Sequence, residues 1–462
     1  MKGISVNEEK RLLKKVTLYS IASFGTKIAS FLIVPYYTYV LSTRDYGYYD
    51  VLNNTTLLIV PLLTLQTSEA IIAGCKDDRF DNSQIVKSTI SILTVNVLFF
   101  FICFGLFNYF ASIKYGWFFA GSVVMTSLMI TLQQYARGYS NSKGYAISGI
   151  IYTAFFLSSN IICLSLLKIG VVGLFISSII ASFFSVIFII ILIPDTLKAI
   201  RLEIDKECLS WIVKYSLPLI PNALCWWLIG SSDRFVIRLF LGNSANGIYA
   251  LSYRFSTVLS TITGLVYLAW QEISLESYKK SKNTYLQSRI FNKYAKILLC
   301  ISLVGIYVTR PFSEIVIQAD YMEAWKYVPF LYVGVICIGL ASFLNTAYLA
   351  EGKTKAILNG TLIAGIINIV MDLTLIRYIG IYAAAISTFA SGIVLLFIRI
   401  RYNQKYIELK VDWVSIIILA LLNLAITYIV YFYAYSIFYW IFGLIILITI
   451  CVVGKNSYNR NI

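Results

Sequence analysis

The sequence predicts an all-α integral membrane protein of about 14 transmembrane helices, built as two six-helix bundles around a central cavity with an additional C-terminal helix pair. Three observations lead there. Of 462 residues, 59% are apolar and 13% charged, and the mean hydropathy is +0.78; a soluble fold cannot hide that much apolar surface. Apolar runs of helical length recur from one end of the chain to the other. Lys and Arg concentrate on alternate loops between them.

The runs fall at 17–41, 51–74, 88–111, 116–136, 145–167, 170–193, 211–241, 246–271, 290–309, 324–350, 355–377, 380–400, 412–433 and 437–454. The first is too long for the apolar core of a cleavable signal peptide and leads into the next span, so the N-terminus is expected to be retained. An even number of spans puts both termini on one side. With that side cytoplasmic, 28 Lys and Arg lie in cytoplasmic segments and 6 in outer ones, with Lys27, Arg234, Arg238 and Arg254 left inside spans. That split satisfies the positive-inside rule. It also accounts for the net charge of +16 without nucleic acid. The expected location is the bacterial cytoplasmic membrane, multi-pass, with N- and C-termini cytoplasmic.

The 8 Cys are scattered without a CxxC pair and there is no His, which removes Cys/His metal sites and reads the cysteines as small core residues. No phosphate-binding loop, nucleophile–base pair or large extramembrane loop is present, so the chain is not expected to be an enzyme and no cofactor is expected.

An internal repeat divides the chain. LSTRDYGYYDV (Leu41–Val51) aligns with LGNSANGIYAL (Leu241–Leu251) at an offset of 200, matching Leu41 to Leu241, Gly47 to Gly247 and Tyr49 to Tyr249. GVVGLFIS (Gly170–Ser177) resembles GIYAAAIS (Gly380–Ser387) at an offset of 210, and Asn160-Ile161 and Asn368-Ile369 precede those glycines by about ten residues. The expected domains are an N-terminal bundle over 1–210, a C-terminal bundle over 211–403 and two additional helices over 404–462. Transporters duplicated in this way bind cargo between their halves near the bilayer midplane.

Ionisable groups inside membrane spans are costly and mark polar pathways. Lys27, Arg234, Arg254 and Arg238 are the candidates for binding an anionic cargo such as a diphosphate, for which Arg offers bidentate geometry. Arg234 and Arg238 are spaced i,i+4 and share a helical face; Arg238 and Arg254 also lie near enough to a span end to snorkel. Asp233, Asp372 and Glu69 are candidates for coupling-ion binding or for ion pairing. Pro35, Pro218 and Pro221 are hinge candidates, because proline removes a helix hydrogen bond. The tyrosines around the end of the first span (Tyr36, Tyr37, Tyr39, Tyr46, Tyr48, Tyr49) read mostly as an interfacial belt, and the stretch from Gly242 to Gly247 reads as a turn.

Three stretches together resemble the oligosaccharide (O-antigen and capsule repeat-unit) flippases of the multidrug/oligosaccharidyl-lipid/polysaccharide exporter (MOP) superfamily. They are Pro35 with Leu41–Asp50; Tyr215–Pro221 with Ser232-Asp233-Arg234, Leu241-Gly242 and Gly247-Ile248-Tyr249; and Ile367-Asn368 with Ile379–Ala385. The resemblance implies flipping of undecaprenyl-diphosphate-linked oligosaccharide to the outer leaflet by alternating access. It also implies membrane lipids, the lipid-linked oligosaccharide and a polymerase of the same pathway as partners. A peptidoglycan-precursor flippase and a multidrug or cation antiporter of the same superfamily are the alternatives. A membrane polysaccharide polymerase is disfavoured by the short loops, and an antiporter of cationic drugs by the buried cations.

Overall fold

The computed structural model describes residues 33–75, 79–139, 141–194, 205–280, 284–350, 354–404 and 409–459. Among them every regular element is helical, as required where lipid offers backbone groups no partner. The chain falls into two compact units. Among the described residues the first comprises 33–41 and 48–227 and the second 42–47 and 228–459.

The first unit holds helical residues 33–40, most of α1 (Thr43–Leu63), α2 (Thr67–Gly74), α3 (Asn82–Ala111), α4 (Gly116–Gly138), α5 (Ser142–Ile161), α6 (Val171–Leu192), α7 (Lys206–Ser216) and the start of α8 (Ile220–Lys280). Its core knits Ile71, Ile85, Leu132, Tyr135, Ile189 and Ile212 together. α1 and α2 form one broken span bent by 50°. The break has a local cause. Pro61 lacks an N–H for the helix ladder, and Leu65 (φ 49) and Gln66 (φ 55) then adopt the left-handed conformation that ends a helix. The Leu63 carbonyl freed there accepts the Asn96 side-chain amide at 2.9 Å.

Pro218 lies in a short 3-10 turn, Leu217–Leu219, between α7 and α8, and Pro221 is the second residue of α8. The backbone stays right-handed helical through Ser216, Leu217 and Ile220, so both prolines interrupt the hydrogen-bond ladder along a continuous helical path. Pro35 sits within helical residues 33–40, where its carbonyl accepts the Thr38 hydroxyl at 2.7 Å.

The second unit contains the rest of α8, α9 (Thr284–Val316), a 3-10 segment Ala319–Tyr327, α10 (Val328–Ala350), α11 (Thr354–Ile379), α12 (Tyr382–Asn403), α13 (Trp413–Phe432) and α14 (Ile437–Asn459). The expected turn after Leu241 contracts to a single residue. Only Gly242 is non-helical (φ 87, ψ 177), a conformation open to glycine alone. Asn243–Gly247 is helix rather than turn, and so is Thr43–Gly47. Spans seven and eight are thus the two arms of α8. Gly170 and Gly380, matched in the repeat, each stand before a helix at φ 58.

The expected belt of tyrosines is only partly one. Tyr37, Tyr46 and Tyr49 are buried, whereas Tyr39 is exposed. Tyr49 packs on Phe175 at 5.3 Å between ring centroids. Of the cysteines, Cys163, Cys208, Cys225, Cys300 and Cys337 are buried, but Cys103 and Cys451 are exposed.

Two polar assemblies join helices in the second unit. α13 and α14 dock on α9 through Lys296–Asp412 (2.6 Å), Ser302–Asn423 (2.6 Å), Arg310 to the Val430 carbonyl (2.7 Å) and the Tyr307–Tyr439 stack (4.3 Å). In lipid, which supplies no hydrophobic drive between helices, such bonds and close packing hold a bundle together. Arg399 on α12 is buried and bonds to α11 through the carbonyls of Ala356 (3.1 Å) and Ile357 (2.7 Å) and the Thr361 hydroxyl (3.1 Å). Tyr348 of α10 bonds to the Arg399 carbonyl at 2.9 Å, so one residue ties three helices.

Arg399→Ala removes these charge-assisted bonds and leaves a void, at an expected cost of about 2–4 kcal/mol. Thermal unfolding in detergent should show a clear drop in melting temperature, with Arg399→Lys recovering only part of it. A melt equal to the unsubstituted protein would refute this assignment.

Candidate functional site

The first arm of α8 carries Ser232-Asp233-Arg234, all three buried. Arg234 Nη1 pairs with Asp233 Oδ1 at 3.0 Å and donates to the Gly230 carbonyl at 2.8 Å. Because α8 reverses at Gly242, its second arm brings Tyr249 and Tyr253 over the same place. The Arg234 guanidinium lies 4.3 Å from the Tyr253 ring centroid and 5.7 Å from that of Tyr249, and the Tyr249 hydroxyl donates to Asp233 Oδ2. Asp233 therefore pairs with the next residue in its own helix, and Arg234, 3% exposed, is a sequestered cation.

α11 presents Asn368 and Asp372, one helical turn apart, and α12 presents Ser387. The Ser387 hydroxyl donates to Asp372 Oδ1 at 2.5 Å, the Asn368 amide donates to the Ser387 hydroxyl at 3.2 Å, and the Ser232 hydroxyl donates to Asn368 Oδ1 at 3.2 Å. Asp233, Asn368, Asp372 and Ser387 are all 0% exposed. Asp372 Oδ2 has no hydrogen-bond partner among the described residues.

The electrostatics follow from counting. Two fully buried carboxyls share the positive charge of Arg234. A second carboxylate in this medium is costly unless a proton, a cation or a further charged group compensates it. The donors are oxygens only: Asp233, Asp372, Asn368, Ser232 and Ser387. Such a set suits a proton or a small hard cation, and it does not suit a transition metal. Among the described residues no group of three His, Cys, Asp or Glu forms a metal site.

The repeat gives a control inside the molecule. In the first unit Asn160 and Ser177, matched to Asn368 and Ser387, are also buried. Asn160 accepts the Tyr37 hydroxyl at 3.1 Å, and Ser177 bonds back to the Gly173 carbonyl at 2.7 Å. At the offsets that lead to Asp233 and Asp372, however, stand Ile33 and Leu164, both buried. The polar scaffold is common to both repeats, and the carboxyls belong to one.

The other candidates are not drawn together. Arg254, on the second arm of α8, is half-buried and donates from Nε to the Tyr46 hydroxyl at 3.2 Å. Arg238 is exposed, as snorkelling requires, so the helical face it shares with Arg234 leads to a different environment. Glu69 is exposed in the first turn of α2, where a carboxylate suits the helix dipole. Lys27 lies outside the described residues. The residues that charge alone did not reveal are Ser232, Tyr253 and Tyr46. Tyr249, Asn368 and Ser387 were marked by the repeat, though not by any chemical signal.

Asp233→Ala should destabilise the protein by about 3–5 kcal/mol, since it strips the carboxylate from a buried guanidinium. The double variant Asp233→Leu/Arg234→Leu should lose less than Asp233→Ala alone. Thermal unfolding of the single and double variants in detergent checks this, and additive losses would refute the pair.

Residues 12–271 match the family model described as "Polysaccharide biosynthesis protein". Among solved structures the chain is similar to the lipid II flippase MurJ in an inward closed conformation, with TM-score 0.72 and 14% identity over 96% of this chain and 99% of that one. It is also similar to a multidrug resistance MATE family transporter of the MOP superfamily in an inward-facing conformation, with TM-score 0.65 and 12% identity over 84% and 97%. A third similar structure is the Vibrio cholerae MATE transporter VcmN, with TM-score 0.61 and 14% identity over 86% and 98%. No curated protein matches. At such identities the solved structures speak for the fold, whereas the family model spans more than half of the chain. The chain belongs to the polysaccharide biosynthesis protein family and is a multi-pass membrane protein with the fold of the MOP superfamily transporters.

Proposed function

We propose that this protein flips undecaprenyl-diphosphate-linked oligosaccharide repeat units from the inner to the outer leaflet of the bacterial cytoplasmic membrane, by alternating access, for surface polysaccharide synthesis. The observation that carries the cargo class is the family match over residues 12–271. The 28-to-6 distribution of Lys and Arg supports cytoplasmic termini. On this reading the bundles over 1–210 and 211–403 are the moving halves, and the helices over 404–462 are an addition to the second. A polymerase of the same pathway receives the product.

The buried carboxyls supply a rationale for energy coupling. Asp372, with Asp233 beside it, takes up a proton or hard cation from one side and gives it up to the other. The release is linked to the breaking of the Ser232–Asn368–Ser387 chain. Arg254 and Lys27 are the cations for the diphosphate, while Arg234 is held by Asp233 and serves the coupling site. Because the chemistry of transport makes and breaks no covalent bond, these roles need no catalytic residue.

The likeness to MurJ over 96% of the chain favours one second reading, a peptidoglycan-precursor flippase. Complementation separates the two. Expression in a strain lacking a repeat-unit flippase should restore surface polymer, and expression in a strain depleted of its lipid II flippase should not restore growth. The reverse result would replace the first reading by the second. Asp372→Asn and Arg254→Ala should abolish polymer at normal membrane levels of the protein, and Arg238→Ala should leave it. Polymer from the first two variants equal to that of the parent would refute the residue roles.

A further inference from the structure

The two buried carboxyls are followed by the same short pattern. Asp233 precedes Ile237 and Arg238 in α8, and Asp372 precedes Ile376 and Arg377 in α11, at identical spacing. Ile237 and Ile376 are buried in one hydrophobic core of the second unit, and the arginine after each is exposed. Contacts climb the two helices in parallel. Ser232 bonds to Asn368 at 3.2 Å, Ile237 and Ile376 share the core, and Phe240 meets Arg377. Arg238 and Arg377 therefore leave neighbouring helices at one level, about 7.5 Å along each axis from its carboxyl.

The Arg377 guanidinium lies 5.2 Å from the centroid of the Phe240 ring, and no carboxylate pairs with it among the described residues. The surface around it is apolar: Leu239, Phe240, Leu241, Tyr378 and Ile379 are exposed. Arg377 also ends a stripe of exposed residues on the spanning helix α11, formed by Ile363, Ile366, Val370 and Leu373 at the spacing of one helical face. A cation in the last turn of α11 suits the helix dipole, and a snorkelling side chain has only to reach water. Neither accounts for a guanidinium laid against the ring of a second helix, at the end of a lipid-facing stripe, beside a second arginine.

We propose that these ends of α8 and α11 form a binding site for an anionic phospholipid, its phosphodiester on Arg377 within the field of Arg238 and its chains along the exposed face of α11. A guanidinium offers two parallel N–H bonds to phosphate oxygens, and the Phe240 ring fixes its position by a cation–π contact. A phospholipid needs a cation at headgroup height and an apolar wall directly below it. Arg377 and the stripe over 363–373 supply both on one helix face. The site uses neither Asp372 nor Arg254, so it is a site for a lipid of the bilayer and not for cargo. In the orientation proposed above it faces the outer leaflet, where the loops hold only 6 Lys and Arg to compete for an anionic headgroup. Only the naming of the leaflet rests on the proposed function; the site itself does not.

The test places a photoreactive amino acid at Tyr378, which is 84% exposed. The protein is held in nanodiscs of equal phosphatidylglycerol and phosphatidylcholine with a minor fraction of undecaprenyl phosphate. Irradiation and mass spectrometry of the adducts identify the lipid at that position. Phosphatidylglycerol adducts should exceed phosphatidylcholine adducts several-fold. Arg377→Gln should bring the two to equality, and Arg377→Lys should keep part of the excess, because Lys retains the charge without the fork. Lys168→Gln removes an exposed cation from the first unit and should leave the excess unchanged. Equal adducts in the parent, or an excess that survives Arg377→Gln, would overturn the site. Loss of the excess on adding inorganic phosphate at constant ionic strength would make phosphate alone the ligand, and a predominance of undecaprenyl phosphate would make it the headgroup of the cargo carrier. Either result overturns the phospholipid assignment. Failure to restore polymer in the complementation strain while the excess stands would reject the cargo assignment and leave the lipid site in place.

Discussion

A carboxyl group carried out of water and into a bilayer has to be neutralised, and the organisation of the second unit follows from how this chain does it. Asp233 is neutralised by the next residue in its own helix, Arg234, and the resulting pair is covered by Tyr249 and Tyr253. Asp372 receives a single hydroxyl, that of Ser387, and its second oxygen has no bond among the described residues. One carboxyl thus has a guanidinium beside it and the other a single hydroxyl among the described residues.

The backbone serves this arrangement. Gly242, alone among 61 residues of α8 in its non-helical geometry, reverses the helix so that Tyr249 comes back over Asp233. Replacing it with any other residue would impose strain at φ 87. Arg399 and Tyr348 tie α10, α11 and α12 together, so that Asn368, Asp372 and Ser387 are presented from an assembly held by buried bonds. The C-terminal pair docks on α9 and contributes nothing to the carboxyl network, in keeping with its position outside the repeated part of the chain.

Much of the architecture was legible from hydropathy and charge, because lipid imposes length, apolarity and the distribution of Lys and Arg on every span. The helix count and the family came from those constraints and from three short motifs. The repeat carried more than its length suggested. Tyr249, Asn368 and Ser387 stood out only as matches between halves and in the resemblance, not by charge; Tyr249 and Ser387 are partners of the buried carboxyls, and Asn368 bridges Ser387 to Ser232. What the sequence could not show was which neighbours satisfy them. Asp233 next to Arg234 is compatible with a bond within one helix or to another, and only the fold chooses. Gly247 reads as a turn residue, and Gly47 as its match in the repeat, because glycine is common in turns. They lie inside helices, where the absence of a Cβ permits a backbone crossing. Arg234 and Arg238 shared a face by periodicity and still diverged, because depth along a helix decides between burial and snorkelling as firmly as angle does.

The central proposal is that ion binding at Asp372 drives movement of a lipid-linked oligosaccharide. The most direct measurement is leaflet exchange of an undecaprenyl-diphosphate-linked oligosaccharide in proteoliposomes, with an imposed proton or sodium gradient. The account predicts that one of the two gradients accelerates exchange and that Asp372→Asn removes the acceleration while the protein stays folded and inserted. Exchange that proceeds at the same rate with no gradient, and equally in Asp372→Asn, would contradict it.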